Sequence, residues 1–252
     1  MTKIILKNND FLKFEHYICA DSSTFNFCIM TWKQVFTSSV GKKLIMGFTG
    51  IFLILFLIVH VGLNACIWAN DGGKMFNAGA HFMGANWVPR ILEVGLFLGL
   101  LLHIVQGLML VFYNRSKRGI QYAIAYGNKG SKWYSRSMGL LGTLILMFLV
   151  LHLSNFWFPN RSHQGFLLGE EIDLYQKMQE VFSELWVVIV YVAGCISLAY
   201  HLAHGFQSAF KTFGVYNKRW HAVISTLGFA FAIIVPLLFA LMPLSFYFGW
   251  IS

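Results

Sequence analysis

A chain of 252 residues that is 57% hydrophobic and only 12% charged, with a mean hydropathy of +0.62, lies far from the roughly 25% charged residues of a soluble domain. Four scattered cysteines, Cys19, Cys28, Cys66 and Cys195, form no CxxC pair and no CxxCH motif, so they point to neither a zinc site nor covalently attached haem. The formal charge of +9 would suit nucleic acid, but the placement of the basic residues assigns it to the faces of a membrane, and no nucleic-acid partner is expected.

Residues 1–29 have no uninterrupted apolar core and no small-residue cleavage site, so they read as a disordered leader or a non-native extension, with Met30 as the alternative start. From residue 30 onward, apolar runs fall at about 44–67, 91–113, 138–158, 185–210 and 221–248. Each reaches the roughly 20 residues that cross a hydrocarbon core of about 30 Å. None shows strand-like alternation, and a spanning segment must satisfy its own backbone polar groups, so the expectation is an all-α polytopic protein with five transmembrane helices over 30–252. Pro236 and Pro243 lie in the last span, where neighbouring helices can satisfy the freed carbonyls.

The segment before span one carries Lys33, Lys42 and Lys43; the second loop carries Arg115, Lys117, Arg118, Lys129, Lys132 and Arg136; the fourth carries Lys211, Lys218 and Arg219. Acidic residues gather instead in the third loop, at Glu170, Glu171, Asp173, Glu180 and Glu184. Basic loops stay in the cytoplasm, which predicts a cytoplasmic N-terminus and an external C-terminus.

Five of nine histidines fall inside spans: His60, His103, His152, and His201 with His204. Ionisable groups are scarce within membranes and usually face the bundle interior. An isolated one serves readily in an interhelical hydrogen bond, but here the depths match. At about 1.5 Å per residue, His60 and His152 lie roughly 24 and 21 Å from the inner ends of their spans, and His103 and His201 roughly 15 and 14 Å. Two levels with two imidazoles each suit two bis-histidine haems, b-type because no attachment motif is present. Gly95, Gly99 and Gly107 share a face with His103, and Gly194, Ser197 and Gly205 share one with His201, leaving room for a flat ligand or for close helix packing. In "AYHLAHG" one imidazole suffices as ligand. His201 is assigned that role, and His204, one turn nearer the cytoplasm, is assigned to a haem propionate along with the basic groups Lys42, Lys43 and Arg136.

These residues resemble a known family, the di-haem, five-helix cytochrome b membrane anchors of succinate:quinone oxidoreductases, fumarate reductases included. The resemblance covers Met30 to the C-terminus and rests on "SSVGKKLIMGFTGIFLILFLIVHVGLN", "MFNAGAHFMGANWVPRILEVGLFLGLLLHIVQG", "GTLILMFLVLHLSNF" and "AYHLAHGFQSAFKTFGV". It implies that His103 and His201 bind the proximal haem iron, and His60 and His152 the distal. It also implies partner subunits, a flavoprotein with FAD and an iron-sulfur protein docked on the cytoplasmic face of a bacterial inner membrane, with no dicarboxylate site and no catalytic side chain in this chain. Some fumarate reductase anchors carry a glutamate two residues before the fourth ligand; Ala199 stands there, which leans towards succinate oxidation.

The implied chemistry is electron exchange with a quinone, menaquinone first. Donors for its headgroup near the outer haem are sought at His81, Asn77, Asn64 and Glu93; Glu93 is equally suited to the dipole at its helix start. Rival readings are a fumarate reductase anchor, a di-haem cytochrome b subunit of another dehydrogenase, a proton-coupled transporter using the histidines as a relay, and a purely structural anchor.

Overall fold

The computed structural model describes residues 38–117, 133–164, 172–215 and 219–251. The leader expected over 1–29 and several basic residues of the second loop lie outside them. The chain divides into two units at Lys42 and Lys43. In the described part of the first, Ser38 Oγ accepts from the Gly41 N–H at 3.0 Å, capping the start of a helix.

That helix, α1 (Ser39–Asn64), runs on into a 3₁₀ segment, Ala65–Ala69. There follow α2 (Lys74–Ala85), α3 (Trp87–Lys117), α4 (Trp133–Arg136), α5 (Met138–His152), a π-helical turn (Leu153–Trp157), α6 (Phe158–Gln164), α7 (Leu174–Phe182), α8 (Leu185–Thr212) and α9 (His221–Tyr247). Among the described residues every regular element is helical. Among the described residues five stretches are long and apolar enough to cross a membrane: Val40–Ala69, Trp87–Tyr113, Met138–His163, Leu185–Thr212 and His221–Tyr247. They match the five expected runs and extend several of them. The helices outlast the apolar residues because backbone bonding continues into polar flanks such as Lys42, Lys43 and Lys117.

Within the second unit α8 and α9 pack along each other, and the third span packs on α8. α3 buries little of its surface and presents apolar side chains such as Leu101 and Leu102 outward, as a lipid-facing helix does. Pro236 and Pro243 are both buried within α9, which continues through them. The π-turn has a local cause. Pro159 cannot donate to the Asn155 carbonyl, and just before it the chain widens, with the Phe158 N–H bonding to the Leu153 carbonyl.

The two short helices α2 and α7 escaped the reading of apolar runs. They form a cap over the end where the first span meets the second and the third meets the fourth. α7 is amphipathic, burying Tyr175, Met178 and Phe182 at positions that share a helix face. These join Phe76 of α2, Ile67, Val187 and Val188 in one core cluster, where burial of each large side chain contributes about 1.5–3 kcal/mol. Trp68 Nε1 donates to Ser245 Oγ at 3.0 Å, tying the 3₁₀ segment to the end of α9.

The turn into α2 depends on glycine. Gly72 and Gly73 take φ of 67° and 80°, where a side chain is strained. A Cβ on Gly73 would also collide with the Tyr175 ring, whereas one on Gly72 would meet no atom within 4 Å. Gly73→Ala is therefore expected to destabilise the cap by about 1–3 kcal/mol and Gly72→Ala by less. Thermal midpoints of the two variants in detergent check the order.

Candidate functional site

Four of the five intramembrane histidines meet in two pairs. His60 of α1 and His152 of α5 have ring centroids 5.9 Å apart, edge to face. His103 of α3 and His201 of α8 are 6.2 Å apart in the same manner. Helix direction explains the pairing. His60 and His152 precede the cap ends of their spans, Ala69 and His163, by similar lengths, and His103 and His201 precede the opposite ends, Tyr113 and Thr212, by similar lengths.

The surroundings of the pairs differ. The cap-side pair is lined by aromatic rings: Phe56 and Phe239 lie 5.1 and 5.3 Å from His60, and Phe148, Phe156 and Tyr191 lie 5.7, 5.7 and 6.0 Å from His152. Small residues line the far pair. A Cβ on Gly50 would approach His103 Cε1 at 3.7 Å, and one on Gly142 would approach His201 Cε1 at 4.0 Å. The predicted glycine stripes split in use. Around Gly95 and Gly205 a Cβ would meet nothing within 4 Å, but Gly99 seats Phe52 at 3.0 Å and Gly194 seats Phe148 at 2.7 Å, which is close helix packing.

What the pairs can hold follows from their number of ligands. Among the described residues no group of three or more His, Cys, Asp or Glu side chains is placed to hold a metal ion. Two imidazoles alone suit a metal whose other ligands come from a macrocycle. Imidazole nitrogens about 2 Å from a metal between them would place the ring centroids at most roughly 6.3 Å apart, and both observed separations lie within this limit. His152 Nδ1 and His201 Nδ1 are buried without a hydrogen-bond partner, so each pair contains a polar atom that the protein alone leaves unsatisfied.

His204 lies one turn further from the cap than His201 and is half-buried. Lys42 and Lys43 stand in the opening turns of α1, and Arg136 ends α4 with its side chain exposed. The four residues considered for a quinone are engaged separately. Asn64 Nδ2 donates to the His60 carbonyl at 2.8 Å and stands 3.4 Å from His60 Nδ1. Glu93 receives Trp157 Nε1 at 2.6 Å and forms an ion pair with Arg161, clamping α3 to the third span. His81 is exposed on α2. Asn77 belongs to the cap: its Nδ2 donates to Asp173 Oδ1 at 2.8 Å while its Oδ1 accepts from the Tyr175 N–H at 3.1 Å.

Sequence reasoning missed Thr49, whose Oγ1 lies 3.0 Å from His103 Nδ1. It also missed Trp157 and Arg161 as partners of Glu93, and Tyr191, whose hydroxyl accepts from Asn155 Nδ2 at 3.1 Å. A buried threonine in an apolar span and an aromatic beside a span end were the available signals, but their partners are remote in sequence.

No protein-family model matches the chain, and no solved structure matches it at a significant level. The chain is similar to the succinate dehydrogenase cytochrome b558 subunit of Bacillus subtilis (strain 168), with 28% identity over 162 residues, 64% of this chain and 73% of the relative.

Electrostatics outside the spans centre on the cap. Asp173 caps α7, accepting from the Gln176 N–H at 2.9 Å; this bond, and the bond from Asn77, hold its carboxyl below the usual carboxylate range. Burial and the nearby Asp71 carboxylate raise the Tyr175 phenol. A depressed Asp173 contributes stability above the pKa it has when unfolded, and loses it as pH falls through the lowered folded value. Asp173→Ala is expected to cost about 1 kcal/mol near neutral pH, and Asn77→Ala a similar amount. Thermal midpoints followed towards acid should show the gap between wild type and Asp173→Ala closing.

Proposed function

We propose that this chain is the cytochrome b membrane anchor of a succinate:quinone oxidoreductase, in the direction of succinate oxidation. The observation that carries the reading is the meeting of four histidines, one from each of four successive spans, in two pairs with ring centroids 5.9 and 6.2 Å apart. The similarity to a succinate dehydrogenase cytochrome b558 subunit supports the same reading.

His103 and His201 would hold one haem b and His60 and His152 the other, and when bound these groups would supply reversible one-electron transfer. The chain's own part would be to supply two imidazoles to each group, which suits electron transfer rather than oxygen binding. Aromatic walls around His60 and His152 exclude water from the cap-side site, and Gly50 and Gly142 leave width beside the far one. His204 lies one turn beyond His201 and would serve as a partner for a carboxylate substituent.

The basic segments place the end opposite the cap in the cytoplasm of a bacterial inner membrane. There an iron-sulfur subunit, itself served by an FAD-bearing flavoprotein, would deliver electrons. The cap then faces outward, and menaquinone exchanges electrons and protons on that side. Of the residues considered for its headgroup, His81 and Glu93 carry groups able to exchange protons; Asn77 and Asn64 are committed to structural bonds.

A dithionite-reduced minus oxidised spectrum with a haemochrome assay on the purified chain should give two haems b. His201→Ala should lose one and His204→Ala retain both. A properly inserted, haem-supplied protein without haem would overturn the reading and return the histidines to proton relay or helix packing.

A further inference from the structure

The two imidazoles of the far pair are not equivalent, and a single hydroxyl makes them differ. Thr49 is buried, at 4% exposure, in the middle of an apolar helix. Its Oγ1 lies 2.8 Å from the Ile45 carbonyl oxygen, 3.3 Å from that of Met46 and 3.0 Å from His103 Nδ1. Two oxygens at 2.8 Å require a proton between them, and a carbonyl has none. The threonine proton is therefore committed to its own helix, the usual back-bond of a threonine inside a helix. Its oxygen then faces His103 as an acceptor, and the ring must carry its proton on Nδ1.

We infer that Thr49 is a positioning residue for the far pair: it holds His103 as the Nδ1–H tautomer, turns the Nε2 lone pair to the metal position, and makes this imidazole the stronger electron donor of the two. An acceptor on the distal nitrogen of a metal-bound histidine raises ligand basicity. His201 has no such acceptor, its Nδ1 being buried without a partner, and the amide nearest His60 Nδ1 is a donor group held on a backbone carbonyl. A more basic ligand favours ferric over ferrous iron, so Thr49 lowers the potential of the haem it serves. The inference rests on the two-haem reading above.

The test uses the full, haem-loaded chain with redox titration and low-spin electron paramagnetic resonance. Thr49→Val keeps the shape and removes the oxygen. One of two haems should become easier to reduce by on the order of tenfold in its ferric–ferrous equilibrium, about 59 mV for one electron, with altered g values. The haem that moves should be the one lost in His201→Ala. Thr49→Ser, which restores the oxygen, should return both haems to wild-type values. Thr49→Ala, which removes the oxygen with less bulk, is read in the same way if the valine variant fails to insert. Two haems with unchanged potentials and g values in the variants lacking the oxygen would overturn this inference alone, and so would a serine variant that behaves as valine does. A wild-type chain with no haem would defeat the functional reading and this inference together.

Discussion

In an apolar medium, a polar group that finds no partner within the chain finds none. That constraint makes the five long segments helical, since a helix satisfies its own backbone, and it makes each polar side chain between their ends an assignment. Thr49 is spent on Ile45 and His103, Asn64 on the His60 carbonyl, and Asn155 on Tyr191. The histidine pairs stand out because each contains a buried ring nitrogen, His152 Nδ1 or His201 Nδ1, that has no hydrogen-bond partner within the protein.

The division of labour among the helices follows. α8 and α9 pack closely and act as the scaffold, with glycines such as Gly228 taking in large rings such as Phe206. α3 packs lightly, yet it carries His103 and the buried Gln106, so its contribution to the bundle is mainly through the site. The Glu93 clamp and the cap fix one end of that loosely held helix: Arg90 Nε donates to the Gly84 carbonyl at 2.8 Å, closing the C-terminal end of α2 against the start of α3.

The five spans were legible because a run of apolar residues is a local property, and length alone separates a spanning helix from a core one. The pairing of histidines was legible because alternate spans run in opposite directions, so depth can be counted along the chain. The cap was not. α7 buries residues at three positions on one face, among Gln176, Gln179 and Glu180, a pattern that a search for long apolar runs passes over. Nor could the sequence divide the glycines into those that leave space and those that seat a ring, since Phe52 and Phe148 reach Gly99 and Gly194 from other helices. The same non-locality hid the partners of Asn77 and Glu93, which lie far away in sequence.

The π-turn at Leu153–Trp157 acts as a phase shifter in the third span. At 3.6 residues per turn each residue advances about 100° around the axis, and one surplus residue in a turn takes that much back. His152 lies before the shift, with Trp157 at its end and Arg161 beyond it, so a single rod serves two directions, towards His60 on α1 and towards Glu93 on α3. What preserves this arrangement is the number of residues between the two groups. Exchanging a side chain within the turn removes that side chain's own contacts and leaves the pitch as it is, whereas one deletion would restore ordinary pitch and swing the Glu93 partners away from α3.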